Sequence, residues 1–383
     1  MKKEFKIEGK KLKYNTANLY TNKFIVKSMP QSYKVEFKSK INILEEYYSR
    51  IFNKSNTRFV VWDKNVLNLY GSQLNSLNNN KFVLSATEGN KNSKSVFKII
   101  DILQSINFTK KETLISIGGG ITQDISAFTR SIYKRGLDWS FVPTTLLSMA
   151  DSCIGAKTAL NHKGVKNQLA LFSSPKEVII CPDFLKSLSI KDIESGYGEI
   201  IKLVIIGGEY AINEFINITK SSDSELKKTT KLIKLALQIK KVIIEKDEFE
   251  FDIRRSLNYG HTIGHAIEPV LNYKIPHGIA VSIGMILENN IAVTSGILDP
   301  KIGFKYNQLI AKYVSKAYWH MLNGIDLEKV YLNILQDKKT LNKTINLAIP
   351  IAHSEFGILK IDKSELAPQK LKMFFKEAIK AHC

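Results

Sequence analysis

The feature that most constrains this chain is an alternation of short β-branched and aromatic runs with segments of helical periodicity. The runs occupy residues 58–62, 81–84, 113–117, 139–142 and 177–180. Between them, segments such as 96–106 repeat apolar residues at helical spacing. Strands that alternate with helices predict a largely parallel sheet covered on both faces.

The pattern changes at both ends of this region. Residues 1–32 are polar and lysine-rich, which predicts an N-terminal extension outside the core. Beyond about residue 187 the strand pattern fades and helical spacing takes over, as in 225–250. At 383 residues the chain fits two domains. We therefore predict an α/β N-terminal Rossmann-like domain at 33–186 and an all-α C-terminal domain at 187–383.

The formal net charge of +20 raises nucleic acid, acidic membrane or anionic substrate as partners. Of the 56 basic residues only 6 are Arg, and Arg is the side chain that makes bidentate contacts with bases and phosphodiesters. We therefore expect most lysines to form a solvated surface, with no nucleic-acid or membrane partner. Three sparse cysteines and the lack of a long apolar segment predict a cytoplasmic protein.

Three consecutive glycines, Gly118 to Gly120, separate the run at 113–117 from a helical segment. Such a turn lets backbone amides approach a phosphate or pyrophosphate at a helix N-terminus, although Gly-rich turns are often only structural. The GxGxxG spacing is absent because Gln123 stands in place of its last glycine, and Asp124 is free to serve the helix dipole or a ribose hydroxyl. The following block, 143–167, concentrates hydroxyls, lysines and small residues, which favours an anion-binding loop.

Histidine placement gives the strongest local signal. Of seven histidines, His261, His265 and His277 fall within 17 residues and are flanked by glycines. Residues four apart share a helix face, so His261 and His265 can converge on a metal or catalytic site. A carboxylate commonly completes such a set. Spacing leaves three candidates for it: Glu194, Glu199 and Glu268.

Together these segments indicate a nucleotide-binding α/β domain and a helical domain with a histidine-based metal site. Hydride transfer on an anionic substrate follows from that combination. In their order and separation, the blocks resemble the 3-dehydroquinate synthase family of sugar phosphate cyclases, from about residue 33 to 367. The resemblance implies NAD, one divalent metal (Zn²⁺ or Co²⁺) and a homodimer.

The resemblance also implies roles for particular residues. The NAD-binding set would be Asp63, Glu88, Lys91, Gly118, Gly119, Gly120, Asp124, Thr144 and Thr145, with Lys166 nearby. The metal ligands would be Glu199, His261 and His277, and His265 would be a hydrogen-bonding or acid–base residue. The substrate-binding set would be Asp151, Lys157, Asn167, Lys202, Lys240, Arg254, Asn258 and Lys339, with Arg135 reaching the phosphate of a neighbouring subunit.

The implied reaction converts 3-deoxy-D-arabino-heptulosonate 7-phosphate to 3-dehydroquinate and phosphate, with NAD regenerated in each turnover. Alternatives are a related cyclase acting on another heptulose or hexose phosphate in specialised metabolism, a metal-dependent polyol dehydrogenase, and a basic nucleic-acid-binding protein without catalysis. Arg254, Asn258 and His265 favour the carboxylate-bearing substrate. The sequence departs from the family pattern where glycines are usual, at Gln123, Ala127 and Ala156, and where Glu is usual, at Ile279.

Overall fold

The structure, a computed structural model, describes residues 2–29, 31–52, 58–163, 165–336, 340–341 and 344–382. The chain divides into two compact units. The helical unit comprises Met1–Thr16, Ser189–Asp223 and Lys231–Cys383, and the α/β unit comprises Ala17–Leu188 and Ser224–Thr230. Among the described residues, no helix has the length and apolar character needed to cross a membrane.

The strands of the described residues are β1 (Lys2–Ile7), β2 (Lys10–Asn15), β3 (Lys23–Val26), β4 (Tyr33–Phe37), β5 (Arg58–Asp63), β6 (Lys81–Leu84), β7 (Thr113–Gly118), β8 (Asp138–Pro143), β9 (Lys157–His162), β10 (Val165–Phe172), β11 (Glu177–Ile180), β12 (Thr340–Leu341), β13 (Thr344–Ala352) and β14 (Glu355–Asp362).

The helices are α1 (Ile41–Phe52), α2 (Lys64–Tyr70), α3 (Ser93–Ser105), α4 (Gly120–Ile132), α5 (Ile190–Ile206), α6 (Glu209–Lys220), α7 (Glu225–Lys246), α8 (His261–Val270), α9 (His277–Thr294), α10 (Pro300–Ala311), α11 (Lys316–His320), α12 (Leu327–Gln336) and α13 (Pro368–His382).

The α/β unit is built on a seven-stranded sheet in the order β3-β4-β11-β8-β7-β5-β6. Every neighbouring pair is parallel except β3 with β4. The central strands are buried along their length, as expected of parallel strands covered on both faces. Two buried indoles are fixed by hydrogen bonds, Trp62 to the carbonyl of Leu77 and Trp139 to the carbonyl of Ser174. A separate antiparallel ribbon pairs β9 with β10.

The helical unit is centred on α9, whose residues are buried on nearly every side. Helices α5 and α8 pack against α9. The unit also contains a five-stranded sheet in the order β12-β13-β14-β1-β2, in which β1 runs parallel to β14. Side chains of the N-terminal strands, including Phe5, Ile7 and Tyr14, are buried.

The predicted fold class is confirmed in its two main parts, an α/β N-terminal region and a helical C-terminal region. The prediction of an all-α C-terminal domain is wrong in one respect, because this unit carries the five-stranded sheet. Two of its strands come from residues 2–15, within the segment set aside as an extension. The compact units accordingly place residues before Ala17 with the helical unit.

Candidate active site

The predicted NAD-binding residues gather at the carboxyl end of the parallel sheet. Asp63 ends β5, Gly118 ends β7 and Thr144 follows β8, and these three strands are adjacent. The backbone N–H of Thr144 donates to the carbonyl of Gly118 at 3.0 Å, which joins two of the strand ends. Because β6 and β7 lie on opposite sides of β5, the order in which successive strands are added to the sheet reverses here. Such topological switch points form nucleotide-binding crevices. Burial raises the pKa of Asp63, while backbone N–H donors from Asn65 and Val66 oppose the rise.

Glycine is required in the turn that follows β7. A Cβ on Gly118 would lie 2.5 Å from the hydroxyl oxygen of Thr122 and 3.0 Å from Cβ of Asp63. A Cβ on Gly119 would lie 3.1 Å from the methyl of Thr145, whereas a Cβ on Gly120 would meet only the Ser152 hydroxyl oxygen, at 3.9 Å. The turn therefore keeps the N-terminus of α4 bare of side chains, which suits close approach of a phosphate group.

A polar network surrounds Asp124 on α4. Its carboxylate forms a 2.6 Å ion pair with Lys91, whose ammonium also donates to Asn167 at 2.8 Å. Burial raises the pKa of Asp124, and Lys91 counteracts the rise. Glu88 accepts a 2.8 Å hydrogen bond from Asn161 and lies 4.0 Å from the ammonium of Lys166. The structure thus brings the predicted residues Glu88, Lys91, Asp124, Lys166 and Asn167 into one region of the α/β unit.

Two departures from the family pattern have visible structural consequences. The Gln123 amide makes two 2.7 Å hydrogen bonds with Ser152, one to its carbonyl and one from its hydroxyl. Ser152 ends the π-helical segment Ser148–Ser152 that follows the Thr144–Thr145 pair, so Gln123 ties α4 to the predicted anion-binding loop. Ala156 has a φ of 60°, in the left-handed region that favours glycine.

In the helical unit, glycines allow α5, α8 and α9 to approach at backbone distance. A Cβ on Gly198 of α5 would lie 2.1 Å from the carbonyl oxygen of Gly278 on α9. A Cβ on Gly284 of α9 would lie 2.0 Å from the carbonyl oxygen of Gly260, which immediately precedes α8. Each of Gly198, Gly260 and Gly278 adjoins a predicted metal ligand in sequence. Close helix packing therefore determines where those ligands lie.

The predicted metal ligands converge at this packing site. The Nε2 atoms of His261 and His277 lie 3.6 Å and 3.4 Å from Oε1 of Glu199. The His265 ring centroid is 5.1 Å from that of His261 and 5.4 Å from that of His277. One nitrogen from each of the three histidines lies within 4.8 Å of the others. Lys202, one turn after Glu199 on α5, contacts its Oε2.

The residues present fit a divalent metal. Glu199 is only 1% exposed, and its carboxylate faces the ammonium of Lys202 and the Nε2 atoms of His261 and His277. The Nδ1 atom of His261 lies 3.0 Å from the carbonyl oxygen of Tyr259, which leaves Nε2 to face Glu199. Two imidazole nitrogens and one carboxylate are a donor set that Zn²⁺ and similar metals take.

The charges of this cluster are strongly coupled. Burial lowers the pKa of His277, but the carboxylates of Glu199 and Glu268 outweigh it and raise the pKa to about 9. Burial raises the pKa of Glu199, yet Lys202 and His277 bring it well below its usual range. The cluster therefore favours a cation between these side chains, and a metal that binds imidazole nitrogen displaces its proton.

A buried carboxylate anchors the start of α8, where His261 stands. Glu288 on α9 is fully buried and accepts hydrogen bonds from the backbone N–H groups of Gly260 at 2.7 Å and Ile263 at 3.5 Å. The two N–H groups lie at a helix N-terminus, where a carboxylate is favoured. Glu288 thus fixes α8 to α9 beside the ligands that each helix carries.

Arg254 lies in a loop, residues 247–258, that is held together around the buried carboxylate of Asp247. Arg254 is 2% exposed, and its side chain donates to the carbonyl of Glu248. Asp247 accepts from the backbone N–H groups of Phe251, Asp252 and Arg254 at 2.8–2.9 Å. Asn258, at the end of the same segment, donates to Glu250 at 2.9 Å.

Sequence reasoning missed Asp247, Glu250 and Glu288. Asp247 and Glu250 lie within eleven residues before Asn258, but only the folded loop shows which backbone groups they hold. Glu288 follows His277 by three helical turns, a spacing that carries no chemical signal by itself.

The remaining predicted residues are distributed as follows. Asp151 lies in the π-helical segment, exposed Lys157 begins β9, and Lys240 is buried on α7. Arg135 lines an open groove of about 580 Å³ together with Thr109, Lys110, Ile132 and Lys134. Lys339 lies outside the described residues.

Solved structures share this fold. The 2-epi-5-epi-valiolone synthase from Streptomyces hygroscopicus, solved with NAD⁺ and Zn²⁺, matches with a TM-score of 0.78 and 21% identity over 92% of this chain and 100% of the other. A 2-deoxy-scyllo-inosose synthase, solved with carbaglucose-6-phosphate, NAD⁺ and Co²⁺, matches with a TM-score of 0.76 and 17% identity over 94% and 100%. The chain therefore shares the fold of these two synthases.

Sequence comparison is more specific. Family models described as 3-dehydroquinate synthase N-terminal and C-terminal match residues 81–195 and 196–340. A 3-dehydroquinate synthase of Prochlorococcus marinus (strain MIT 9312) is 33% identical over 352 residues, which cover 88% of this chain and 95% of the relative. The chain belongs to the 3-dehydroquinate synthase family. The predicted family and enzyme class, a phosphate-eliminating carbon–oxygen lyase, are confirmed.

Proposed function

We propose that this chain converts 3-deoxy-D-arabino-heptulosonate 7-phosphate to 3-dehydroquinate and phosphate, using catalytic NAD and one divalent metal, Zn²⁺ or Co²⁺. Family membership supports the reaction type. The observation that carries the proposal is the convergence of Glu199, His261, His265 and His277 beside Lys202 in the helical unit. That cluster combines a metal-binding donor set with an acid–base group and a cation.

In this proposal Glu199, His261 and His277 hold the metal, with His261 and His277 each using Nε2. When bound, the metal would supply Lewis-acid polarisation of the reacting hydroxyl, and NAD would supply reversible hydride transfer. His265 lies close enough to both histidines to exchange a proton or a hydrogen bond with a group held there. Lys202 balances the charge of the buried Glu199 carboxylate.

Substrate selection depends on the carboxylate of the sugar acid. Arg254 presents the planar donor group that recognises a carboxylate with two parallel hydrogen bonds, and its backbone is fixed by Asp247. Asn258 is fixed in turn by Glu250. A sugar phosphate without the carboxylate cannot accept those two hydrogen bonds, which makes it a poorer substrate.

The NAD-binding proposal rests on the residues at the carboxyl end of the parallel sheet in the α/β unit. The bare N-terminus of α4 suits the pyrophosphate, while Asp63 at the end of β5 and the Lys91–Asp124 pair supply polar groups around it. We further propose that the protein works in the cytoplasm as a homodimer. In that dimer, Arg135 in the cationic groove would contact the phosphate of the substrate bound by the neighbouring subunit.

A product assay tests the function. Purified protein is incubated with 3-deoxy-D-arabino-heptulosonate 7-phosphate, catalytic NAD and Zn²⁺, and phosphate, product and NADH are followed together. We expect one phosphate per substrate and no net NADH. Stoichiometric NADH without phosphate release would indicate a polyol dehydrogenase instead. Sedoheptulose 7-phosphate and glucose 6-phosphate, run in parallel, test the alternative cyclases, and a preference for either one contradicts the proposed substrate.

Two adjacent arginines provide a matched pair for substrate selection. Arg254→Ala removes the buried guanidinium, and we expect kcat/KM for the sugar acid to fall by about a hundredfold or more, as when one partner of a buried charge pair is removed. Arg255→Ala changes the exposed neighbour and should leave kcat/KM near the wild-type value. Equal effects of the two substitutions would remove Arg254 from the proposed substrate site.

A further inference from the structure

The imidazole of His277 stands between two carboxylates. Its Nε2 lies 3.4 Å from Oε1 of Glu199, and its Nδ1 lies 3.4 Å from Oε1 of Glu268. His261 has a comparable arrangement, with Nε2 toward Glu199 and Nδ1 against the carbonyl oxygen of Tyr259. In both histidines, therefore, one ring nitrogen faces the shared carboxylate while the other meets an acceptor outside the cluster.

Glu268 is placed for this contact by α8. It follows His261 by seven residues and His265 by three, so the three side chains share one face of the helix. Glu268 is buried, with 4% of its surface exposed. His277 is the first residue of the neighbouring helix α9. A buried carboxylate is costly to desolvate unless it is paired or hydrogen-bonded. The contact with His277 supplies such a partner and joins α8 to the first residue of α9.

We propose that Glu268 is a positioning residue of the metal site. It accepts a hydrogen bond from the Nδ1–H group of His277 and thereby directs Nε2 toward Glu199. The inference rests on the proposed role of Glu199, His261 and His277 as ligands. A carboxylate on the far ring nitrogen fixes the tautomer and orientation of a ligating histidine and increases its basicity. Loss of such a partner typically weakens metal binding by about 10–100-fold.

This placement also answers a question that spacing left open. Glu268 was one of three candidate carboxylate ligands, but it meets His277 on the Nδ1 side, whereas Glu199 lies on the Nε2 side. An imidazole bound to a metal through one nitrogen directs the other nitrogen away from that metal. Glu268 therefore acts through His277 rather than as a further ligand.

Metal affinity provides the test. Apoprotein of the wild type, Glu268→Leu and Glu268→Gln is titrated with Zn²⁺ in competition with a chelator, and with Co²⁺ by visible absorption. We expect Glu268→Leu to bind Zn²⁺ about 10–100-fold more weakly. Glu268→Gln keeps an acceptor and should lose less affinity than Glu268→Leu, but should still bind more weakly than the wild type. Glu112→Gln, a change to a buried carboxylate of the α/β unit, should leave the affinity unchanged.

Nitrogen-15 NMR of the Zn²⁺-loaded wild type gives a second measurement, with His277 identified from the spectrum of His277→Ala. We expect His277 to carry its proton on Nδ1 and to bind through Nε2. Wild-type affinity in a folded Glu268→Leu, or in Glu268→Gln if the leucine variant does not fold, overturns the proposal, as does ligation through Nδ1. Failure of the ligand assignment appears differently, as tight Zn²⁺ binding that persists in His277→Ala.

Discussion

Replacing Gly198 with alanine tests whether the backbone contact between α5 and α9 sets the geometry of the histidine cluster. The added methyl would lie 2.1 Å from the carbonyl oxygen of Gly278 and 2.8 Å from the hydroxyl of Ser282. Side-chain Cβ atoms stay at least 3.0 Å from other heavy atoms, so the two helices must separate by about 1 Å. The obstacle is backbone, which cannot rotate away.

The expected magnitude follows from two opposing effects. Overpacking of this kind costs up to about 3 kcal/mol, and the higher helix propensity of alanine offsets about 1 kcal/mol of it. We expect Gly198→Ala to lower the free energy of unfolding by about 2 kcal/mol. Since Glu199 and His277 adjoin the two contacting glycines, a shift of about 1 Å should also weaken Zn²⁺ binding at least tenfold.

Urea denaturation monitored by circular dichroism measures the free energy of unfolding, and chelator competition measures Zn²⁺ affinity. Gly89→Ala is the matched control, because its Cβ would meet nothing within 4 Å and its φ is not in the left-handed region. The control should change neither quantity appreciably. If Gly198→Ala keeps both its unfolding free energy and its Zn²⁺ affinity, the close contact does not position Glu199 and His277, and the reasoning is wrong.

Three further substitutions probe other features. His261→Ala removes a nitrogen that faces Glu199, so bound metal and turnover should both be lost; full metal content by atomic absorption would show that the ligands are misassigned. Ala156→Gly relieves a left-handed backbone and should raise the unfolding free energy by about 0.5–1 kcal/mol in urea, whereas a clear loss would contradict that strain. Burial raises the pKa of Asp247, but three backbone donors, including that of Arg254, lower it overall. The stability that it adds is therefore complete above the unfolded pKa of about 3.9 and is lost as pH falls below it; Asp247→Asn should cost about 1–3 kcal/mol at neutral pH and flatten this acid dependence in denaturation curves.

The sequence predicted the central strands of the α/β unit well because they are buried along their length, whereas β6 at the edge of the sheet is largely exposed. The predicted runs at 81–84 and 177–180 coincide with β6 and β11, and that at 113–117 lies within β7. A parallel strand of this kind is a short apolar run between polar turns, so its signal is local.

The five-stranded sheet was missed because its signal is not local. Residues 344–362 were expected to be helical, yet they form β13 and β14. In β1 and β2 lysines alternate with buried apolar residues, a period-two pattern that the high lysine content obscured. Which distant strand completes such a sheet depends on tertiary pairing, and neither end of the chain shows it alone.

For the candidate site, too, the sequence predicted some features, and others are visible only in the folded structure. Histidine spacing indicated a cluster, and the family resemblance supplied Glu199 as its carboxylate. The spacing could not show that His277 meets Glu268 on one side and Glu199 on the other, because that depends on how α8 and α9 cross. Backbone contacts at Gly198 and Gly284 fix the crossing.

The pairing of β1 with β14 has a consequence for how the protein is made. Lys6 pairs with Glu355 and Ile7 with Phe356, so β1 leaves the ribosome well before its partner strand β14 is synthesised. The α/β unit lies between β1 and β14 in the chain and can fold while the β1–β2 ribbon still lacks β14. Contacts of such long sequence separation form slowly, and until they form the nascent ribbon presents open strand edges. Completion of the helical unit is therefore expected to follow the synthesis of β14, and until then the growing chain is most exposed to aggregation and to chaperones.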